Sequence, residues 1–289
     1  MISLAGRDIL HGWARFALTG LGLGLLIGVT LTMAGVYRGM VDDARALLGN
    51  SGADLWVVQQ DTQGPYAESS SLRDDVVRSL RSQVGVARAA NVTYLTMQVR
   101  RLDSAAAAST AGDDASAEGE RDVRAMVVGY ETFPPAQPGA PLHLVAGRQI
   151  TRGHYEAVAD VKTGLKLGER VRIRRQVYTV VGLTLRTVSS GGDPMVFIPL
   201  ADAQEAQFLK DNDAILNERE RNAANPALNR PGVPGLLQAV QAAQSANHNV
   251  NAVLLQLLPG QDAESVAEPI RRWKHLEAYT REQMEEILV

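Results

Sequence analysis

The chain has 289 residues, a net charge of −3 and no cysteine. That length allows one or two domains with a real core, while the weak negative charge gives no basic footprint for nucleic acid, so no nucleic-acid partner is expected. Without cysteine there are no disulfides, zinc–thiolate sites or cysteine nucleophiles.

Residues 1–15 read as an amphipathic segment lying on the cytoplasmic side of a membrane surface, with Trp13 as an interfacial aromatic. Residues 16–37, FALTGLGLGLLIGVTLTMAGVY, carry no charged side chain. At about 1.5 Å per residue they span roughly 33 Å, against a hydrocarbon core of about 30 Å, so they read as a transmembrane helix. The competing reading is a signal peptide, whose apolar region is only about 7 to 15 residues long. The candidate cleavage site, Thr32-Met33-Ala34, comes after too much apolar sequence. The next apolar run, from Val250, is too short to span and ends at Pro259-Gly260. Arg7 and Arg15 precede the span and Arg38 and Arg45 follow it, a near tie that the free amino terminus tips toward N-in. Residues 38–289 are then periplasmic.

Gly20, Gly24 and Gly28 recur every four residues, and Thr32 extends the row. Such a row gives a helix-packing groove that a second helix backbone can approach closely, although glycine is also common in membrane helices generally. The pattern RGMVDDARALLGN predicts that the helix continues past the membrane and stops at Gly49-Asn50.

Downstream, ADLWVVQQ (53–60) predicts a strand, and SLRDDVVRSLRSQ a helix capped by Ser71. In ARAANVTYLTMQVRR, Leu95, Met97 and Val99 alternate with Thr96 and Gln98, as in a half-buried strand. Residues 103–120 are poor in apolar bulk and read as a disordered tip before the returning strand DVRAMVVGYE. A Pro-rich connector (134–141) leads to a β-rich subdomain over about 142–200, in which HYEAVAD, GERVRIRRQ, VYTVVGLTL and DPMVFIPL predict four strands of a twisted sheet or half-barrel. Helical texture follows Pro199, then a Pro/Asn/Gly loop, the helical LLQAVQAAQSA, the strand NAVLLQLL and a helix start at QDAESVAEPIRRW. Thr280 and Gln283 form a capping box for a final helix. The fold class is α+β, a transmembrane helix followed by a mixed α/β part and a smaller β-rich part.

Phosphate-binding, metalloprotease, serine-hydrolase and dinucleotide signatures are all missing, so neither a catalytic residue nor a cofactor is expected, and ATP hydrolysis is not. The five histidines lack metal-ligand spacing, and no metal site is expected. Ser189-Ser190-Gly191-Gly192-Asp193 fits a tight turn or a backbone anion nest. RVRIRR places Arg170, Arg172 and Arg174 on one strand face, which is either simply solvated or a contact for an acidic partner or lipid phosphate.

The segments RFALTGLGLGLLIGV, GADLWVVQQDTQGPYAESSSL, GLKLGERVRIRRQVYTVVGLT and SSGGDPMVFIPLADAQ, in this order, resemble the permease subunits of MacB/FtsX-type ABC transporters, in particular the DevC-like exporters. The resemblance covers nearly the whole chain. It implies an inner-membrane permease that pairs with a second permease copy and with cytoplasmic ABC ATPase subunits, and that couples ATP hydrolysis to export or to mechanical work in the periplasm. Membrane lipid and a periplasmic adaptor (membrane fusion) protein are further partners it implies. Family members carry three more spans after the periplasmic domain; here Thr280 marks where the second would begin, so the chain reads as a truncated or split permease. The rival readings are a single-span envelope scaffold working without an ATPase and a membrane-anchored hydrolase, the latter weakened by the empty motif scan.

Overall fold

In the computed structural model, residues 13–68, 70–102, 122–207, 220–222, 225 and 248–289 are described. The amphipathic segment before Trp13, the tip at 103–120, most of the helical texture after Gln207 and LLQAVQAAQSA lie outside the described residues. Two units are distinguished, residues 1–42 and 43–289.

The first is the body of α1 (Trp13–Asn50), a single helix that ends at Asn50, where Gly49-Asn50 predicts its stop. It is the one described helix long and apolar enough to cross a membrane. Leu18, Leu25 and Leu31 are all exposed along it. Thr19, Thr30 and Thr32 each return their hydroxyl to the carbonyl four residues back, which satisfies a polar group without a partner from outside the helix.

The second unit contains β1 (Leu55–Gln59), β2 (Leu72–Arg73), α2 (Val76–Arg81), β3 (Val86–Leu102), β4 (Asp122–Tyr130), β5 (Leu144–Gly147), β6 (Glu156–Asp160), β7 (Arg170–Ile173), β8 (Gln176–Thr184), β9 (Met195–Pro199), α3 (Leu200–Gln207), β10 (Asn249–Val250), β11 (Ala252–Leu257), α4 (Ala263–Arg271), β12 (Leu276–Thr280) and α5 (Arg281–Leu288). Strands β12, β1, β11 and β3 lie side by side, each antiparallel to the next. With α2 between β1 and β3, and α4 between β11 and β12, this is a split βαβ arrangement. One face is covered by α2 and α4, whose Val77, Leu80, Val266 and Ile270 pack with Leu55, Val57, Val253 and Leu255. The alternate residues Trp56 and Leu254 point to the opposite face and share a second core with Leu47, Leu48 and Met284.

Strands β4 to β9 are inserted between β3 and β11 in the chain, while β2 and β10 pair with each other. β3 is long enough to serve both parts: residues from Val86 to Val92 pair with β11, those from Val92 to Arg100 with β4, and its end with β7. Pairing then runs β4–β9–β6–β8–β7 and returns to β3, so a ring of strands closes. The four predicted strands therefore form part of a closed barrel rather than an open half-barrel, because β3 and β4 complete it. Its interior is filled by Val99, Val127, Val171, Ile173, Val180, Val196 and Ile198, the inward members of alternating strands. Closure removes the open edges that a short four-strand sheet would present. Gly129 on β4 has its Cα against Ala203 of α3, and no side chain fits between them.

Two local expectations change. Ser71 does not cap α2: Leu72 and Arg73 pair with Val250 and Asn249 instead, and α2 starts later, with Asp75 at its N-cap position. Tertiary pairing here overrides the local capping signature. Strands β5 and β12 were not predicted from the sequence and appear at the two ends of the strand order. The capping box of α5 forms as predicted, Thr280 Oγ1 accepting from Gln283 N and Gln283 Oε1 from Thr280 N.

Candidate functional site

Along α1, no atom of a described residue outside the helix backbone comes within 4 Å of where a Cβ would stand at Gly20, Gly24 or Gly28. The same holds for Gly22, Gly35 and Gly39 on this exposed helix, and the Thr32 hydroxyl donates to the Gly28 carbonyl.

The last turns of α1 belong to the domain core. Ala44, Leu47 and Leu48 are buried, an i, i+3, i+4 stripe that the sequence ARALL supplies. Ser51 Oγ donates to the Leu48 carbonyl at 2.7 Å, closing the helix end, and Gly139 N donates to the Ser51 carbonyl at 2.6 Å. Asn50 Nδ2 donates to the Arg186 carbonyl at 2.9 Å, which ties the helix foot to the loop after β8. Arg45 meets Glu285 of α5 at 3.4 Å. Arg271 of α4 donates to the Ala278 carbonyl and to Gln283 Oε1, linking α4, β12 and α5. The foot of α1, from Ala44 on, is thus built into the domain by packing and hydrogen bonds together.

On the outside of the barrel, Arg170 and Arg172 are exposed on β7 while Val171 and Ile173 face inward. Arg174 does not continue that face. Ile173 pairs with Gln176 across the turn, and Arg174 sits in the two-residue connection with φ of 53°. The turn captures the residue that simple alternation would place on the strand. Arg172 lies directly opposite Arg100 of β3, and Arg100 bonds Asp122 at 3.2 Å.

Beside Arg170 is a cleft of about 350 Å³ whose other charged side chains are Arg148, Arg152, His154 and Glu156. Glu156 is 4% exposed. Its carboxylate accepts from Arg148 Nη2 at 2.6 Å, Arg148 Nη1 at 3.1 Å, Thr151 N at 3.0 Å and Arg152 N at 3.1 Å. The Arg148 guanidinium, with help from those two backbone donors, lowers the Glu156 carboxyl from 4.5 to about 2. Asp202 of α3 is buried and accepts from the Tyr155 backbone N–H at 3.0 Å; His154 Nδ1 lies 2.5 Å from its other oxygen. Burial pushes the Tyr178 phenol up, with the charges of Asp202 and Glu205 adding to the effect. Neither Arg148, Arg152 nor the His154–Asp202 pair was singled out in the sequence. GRQITRGHYE contains the first two at a spacing of four, a visible but unspecific signal, whereas Asp202 is distant in the chain.

The Ser189–Asp193 segment is a tight turn. Ser189 N donates to the Asp193 carbonyl, Gly192 N to the Ser189 carbonyl and Asp193 N to Ser189 Oγ, so those amides are occupied and Arg124 meets the Asp193 carboxylate at 3.2 Å. Among the described residues no group of His, Asp or Glu is arranged to hold a metal ion.

These features define a class: an α+β domain of split βαβ sheet and inserted barrel, carried on a helix long and apolar enough to cross a membrane. The chain belongs to the MacB-like periplasmic core domain family, whose model matches residues 16–273, and the MacB/FtsX-type permease resemblance is borne out. It is 24% identical over 208 residues to an uncharacterised ABC transporter permease of Mycobacterium tuberculosis, found in strain CDC 1551 / Oshkosh and in strain H37Rv, covering 72% of this chain and 53% of the relative. The chain thus spans about half the length of the curated relatives it matches. Among solved structures, the periplasmic region of MacB from Actinobacillus actinomycetemcomitans superimposes with a TM-score of 0.46 at 11% identity, over 84% of this chain and 96% of that one. The extracellular domain of the transporter YknZ from Gram-positive bacteria gives 0.40 at 12% identity, over 79% and 99%.

Proposed function

We propose that this chain is the transmembrane subunit, or the first part of it, of an ABC-type exporter or mechanotransmission complex in a bacterial inner membrane. Its N-terminus is cytoplasmic, residues 38–289 are periplasmic, and a separate cytoplasmic ATPase supplies the energy. The observation that carries the reading is the continuity of α1: one helix contains the apolar segment, and its last turns, with Ala44, Leu47 and Leu48, are built into the domain core. The foot of that helix is therefore part of the folded domain, the place at which a motion in the membrane would reach it. Gly20, Gly24, Gly28 and Thr32 form the surface on which a second permease copy packs, because close backbone approach is what associates helices in lipid. A periplasmic adaptor protein and membrane lipid are the partners left for the outer surfaces, Arg170, Arg172 and Arg174 among them.

The test uses the permease co-produced with a cytoplasmic ABC ATPase from the same organism. Replacing Gly20, Gly24 and Gly28 by Leu keeps apolar length and insertion but fills the groove. Cysteines introduced at flanking positions report pairing cleanly, as the chain has none of its own. Wild-type crosslinks and ATP-dependent movement of the periplasmic domain are expected, and both are lost in the triple variant at normal membrane levels. Undiminished crosslinking and movement in that variant would refute the interface. Failure of any ATPase to co-purify would favour the single-span scaffold.

A further inference from the structure

The cleft beside β7 has a chemistry that neither the fold nor the transport reading requires. Sheet register aligns Glu156 of β6, Thr179 of β8 and Arg170 of β7 in one cross-strand row on the outside of the barrel. Arg148 and Arg152 reach the same cleft from the loop that precedes β6. The charges do not cancel. Glu156 is engaged by Arg148 through two hydrogen bonds, which fixes that guanidinium in place. His154 has Asp202 as its own carboxylate partner. Arg152 lies 3.7 Å from the already engaged Glu156 with 81% of its side chain exposed, and Arg170 forms no ion pair among the described residues. Three guanidiniums thus face a single carboxylate in the cleft, Glu156.

The mouth of the cleft is held in an unusual conformation. Tyr155 adopts a φ of 63°, a left-handed backbone that a bulky residue avoids, and its ring remains half exposed. Its N–H is held by Asp202 and its carbonyl by Thr179 N at 3.0 Å, so the surroundings enforce the strain. Strain of this kind persists only where the surrounding structure over-determines it. Val177 and Val181 supply an apolar wall. The Thr151 and Arg152 amides are spent on Glu156, so recognition falls to the guanidinium forks, which match phosphate and carboxylate oxygens.

We infer that this cleft binds a phosphomonoester group carried on a partly apolar molecule, Arg152 and Arg170 gripping the phosphate, Arg148 completing the cationic rim and Val177 and Val181 meeting the apolar portion. A phosphate presents enough oxygens to engage two guanidinium forks at once, whereas a single carboxylate fills one. The same group occurs on lipid headgroups and on soluble phosphate esters, and the cleft's volume suits a small ligand of either kind.

The experiment uses the full chain in nanodiscs of phosphatidylcholine, titrated calorimetrically with dihexanoyl phosphatidic acid, glycerol 3-phosphate and inorganic phosphate. Saturable binding of dihexanoyl phosphatidic acid is expected, weakened about tenfold by Arg152→Gln or Arg170→Gln alone and about a hundredfold by both, since each charged hydrogen-bonding contact is worth about that much. Arg175→Gln, which removes the same charge from the neighbouring turn outside the cleft, leaves affinity unchanged. Binding of dihexanoyl phosphatidic acid about tenfold tighter than glycerol 3-phosphate identifies a lipid source, and equal binding a soluble ester. Both uphold a phosphate site. No saturable binding of any probe, affinity indifferent to both cleft arginines, or an equal loss in Arg175→Gln overturns the inference. Because both cleft arginines are surface side chains, an unchanged melting temperature accompanies each variant, and the single substitutions remain decisive if the double variant is unstable.

Discussion

Leu48→Ala probes whether the foot of α1 is structurally part of the domain. Leu48 is fully buried in the core that also contains Trp56, Leu254 and Met284. Truncating a buried leucine costs about 2–5 kcal/mol, the lost transfer energy plus that of the cavity left behind. The site is ringed by large side chains from β1, β11 and α5, which are hydrogen-bonded into their elements and collapse poorly, so a value near 3 kcal/mol is expected. For a domain of this size each kcal/mol lowers Tm by about 2–4 °C, giving a drop of about 6–12 °C. The assay is tryptophan fluorescence during heating of the full chain in mild detergent, with Trp56 as the reporter inside the affected core. Leu48→Met, which conserves volume, should cost under about 1.5 kcal/mol. Leu26→Ala, on the exposed part of α1, should leave the domain transition in place. A Leu48→Ala variant that melts within about 2 °C of wild type would mean that the last turn of α1 adds little to the core, and the observation that carries the proposed function would fall with it.

Gly129→Ala should destabilise the domain by about 1–3 kcal/mol, because the new methyl meets the Ala203 side chain, which has no rotamer to escape into; a chemical-denaturation midpoint equal to wild type would show that α3 is free to shift. Stability should also fall in acid. The folded-state carboxyl of Glu156 lies at about 2 against 4.5 when unperturbed, so its contribution is complete above pH 4.5 and is lost as pH falls through 2. With solvent screening at the half-exposed Arg148 the effect is about 1–2 kcal/mol, and the gap in urea midpoint between wild type and Glu156→Gln should narrow across that window. A gap independent of pH there would show that the ion pair does not set the linkage.

Much of the barrel was legible because its strands alternate cleanly. RVRI and the run Leu95, Met97, Val99 declare their buried faces by period alone. What escaped had no such signature or carried a stronger competing one. β5, LVAG, lies at the end of the strand order with no fully buried position, so burial imposed no pattern on it. β12, LEAYT, does alternate, with Leu276, Ala278 and Thr280 inward, but it is embedded in RRWKHLEAYTREQ, whose Leu, Glu and Ala favour helix locally. Pairing with β1 along its whole length decides the matter. The Ser71 cap failed for the same reason: a tertiary strand pair outweighed a local hydrogen bond.

The outer barrel face escaped by a different route, since no local pattern reports which strands become neighbours. Arg170 and Arg172 were visible as an exposed basic stripe, equally consistent with plain solvation. Register changes the weight of that stripe. Like charges placed directly opposite on adjacent strands destabilise the pair, yet Arg172 faces Arg100, which Asp122 engages. Two residues away on the same face, Arg170 belongs to the row that leads through Thr179 to Glu156 and its arginines. A surface selected only for solubility has no need to gather cations across β3, β7 and the loop before β6, because scattered charges of either sign serve as well. Arg152 and Arg170 are the members of that gathering that line the cleft, where a bound anion would meet them. Stability of the domain should therefore rise with phosphate and fall toward its low-salt value when Arg152 and Arg170 are replaced, the linkage expected of a ligand that binds only the folded state.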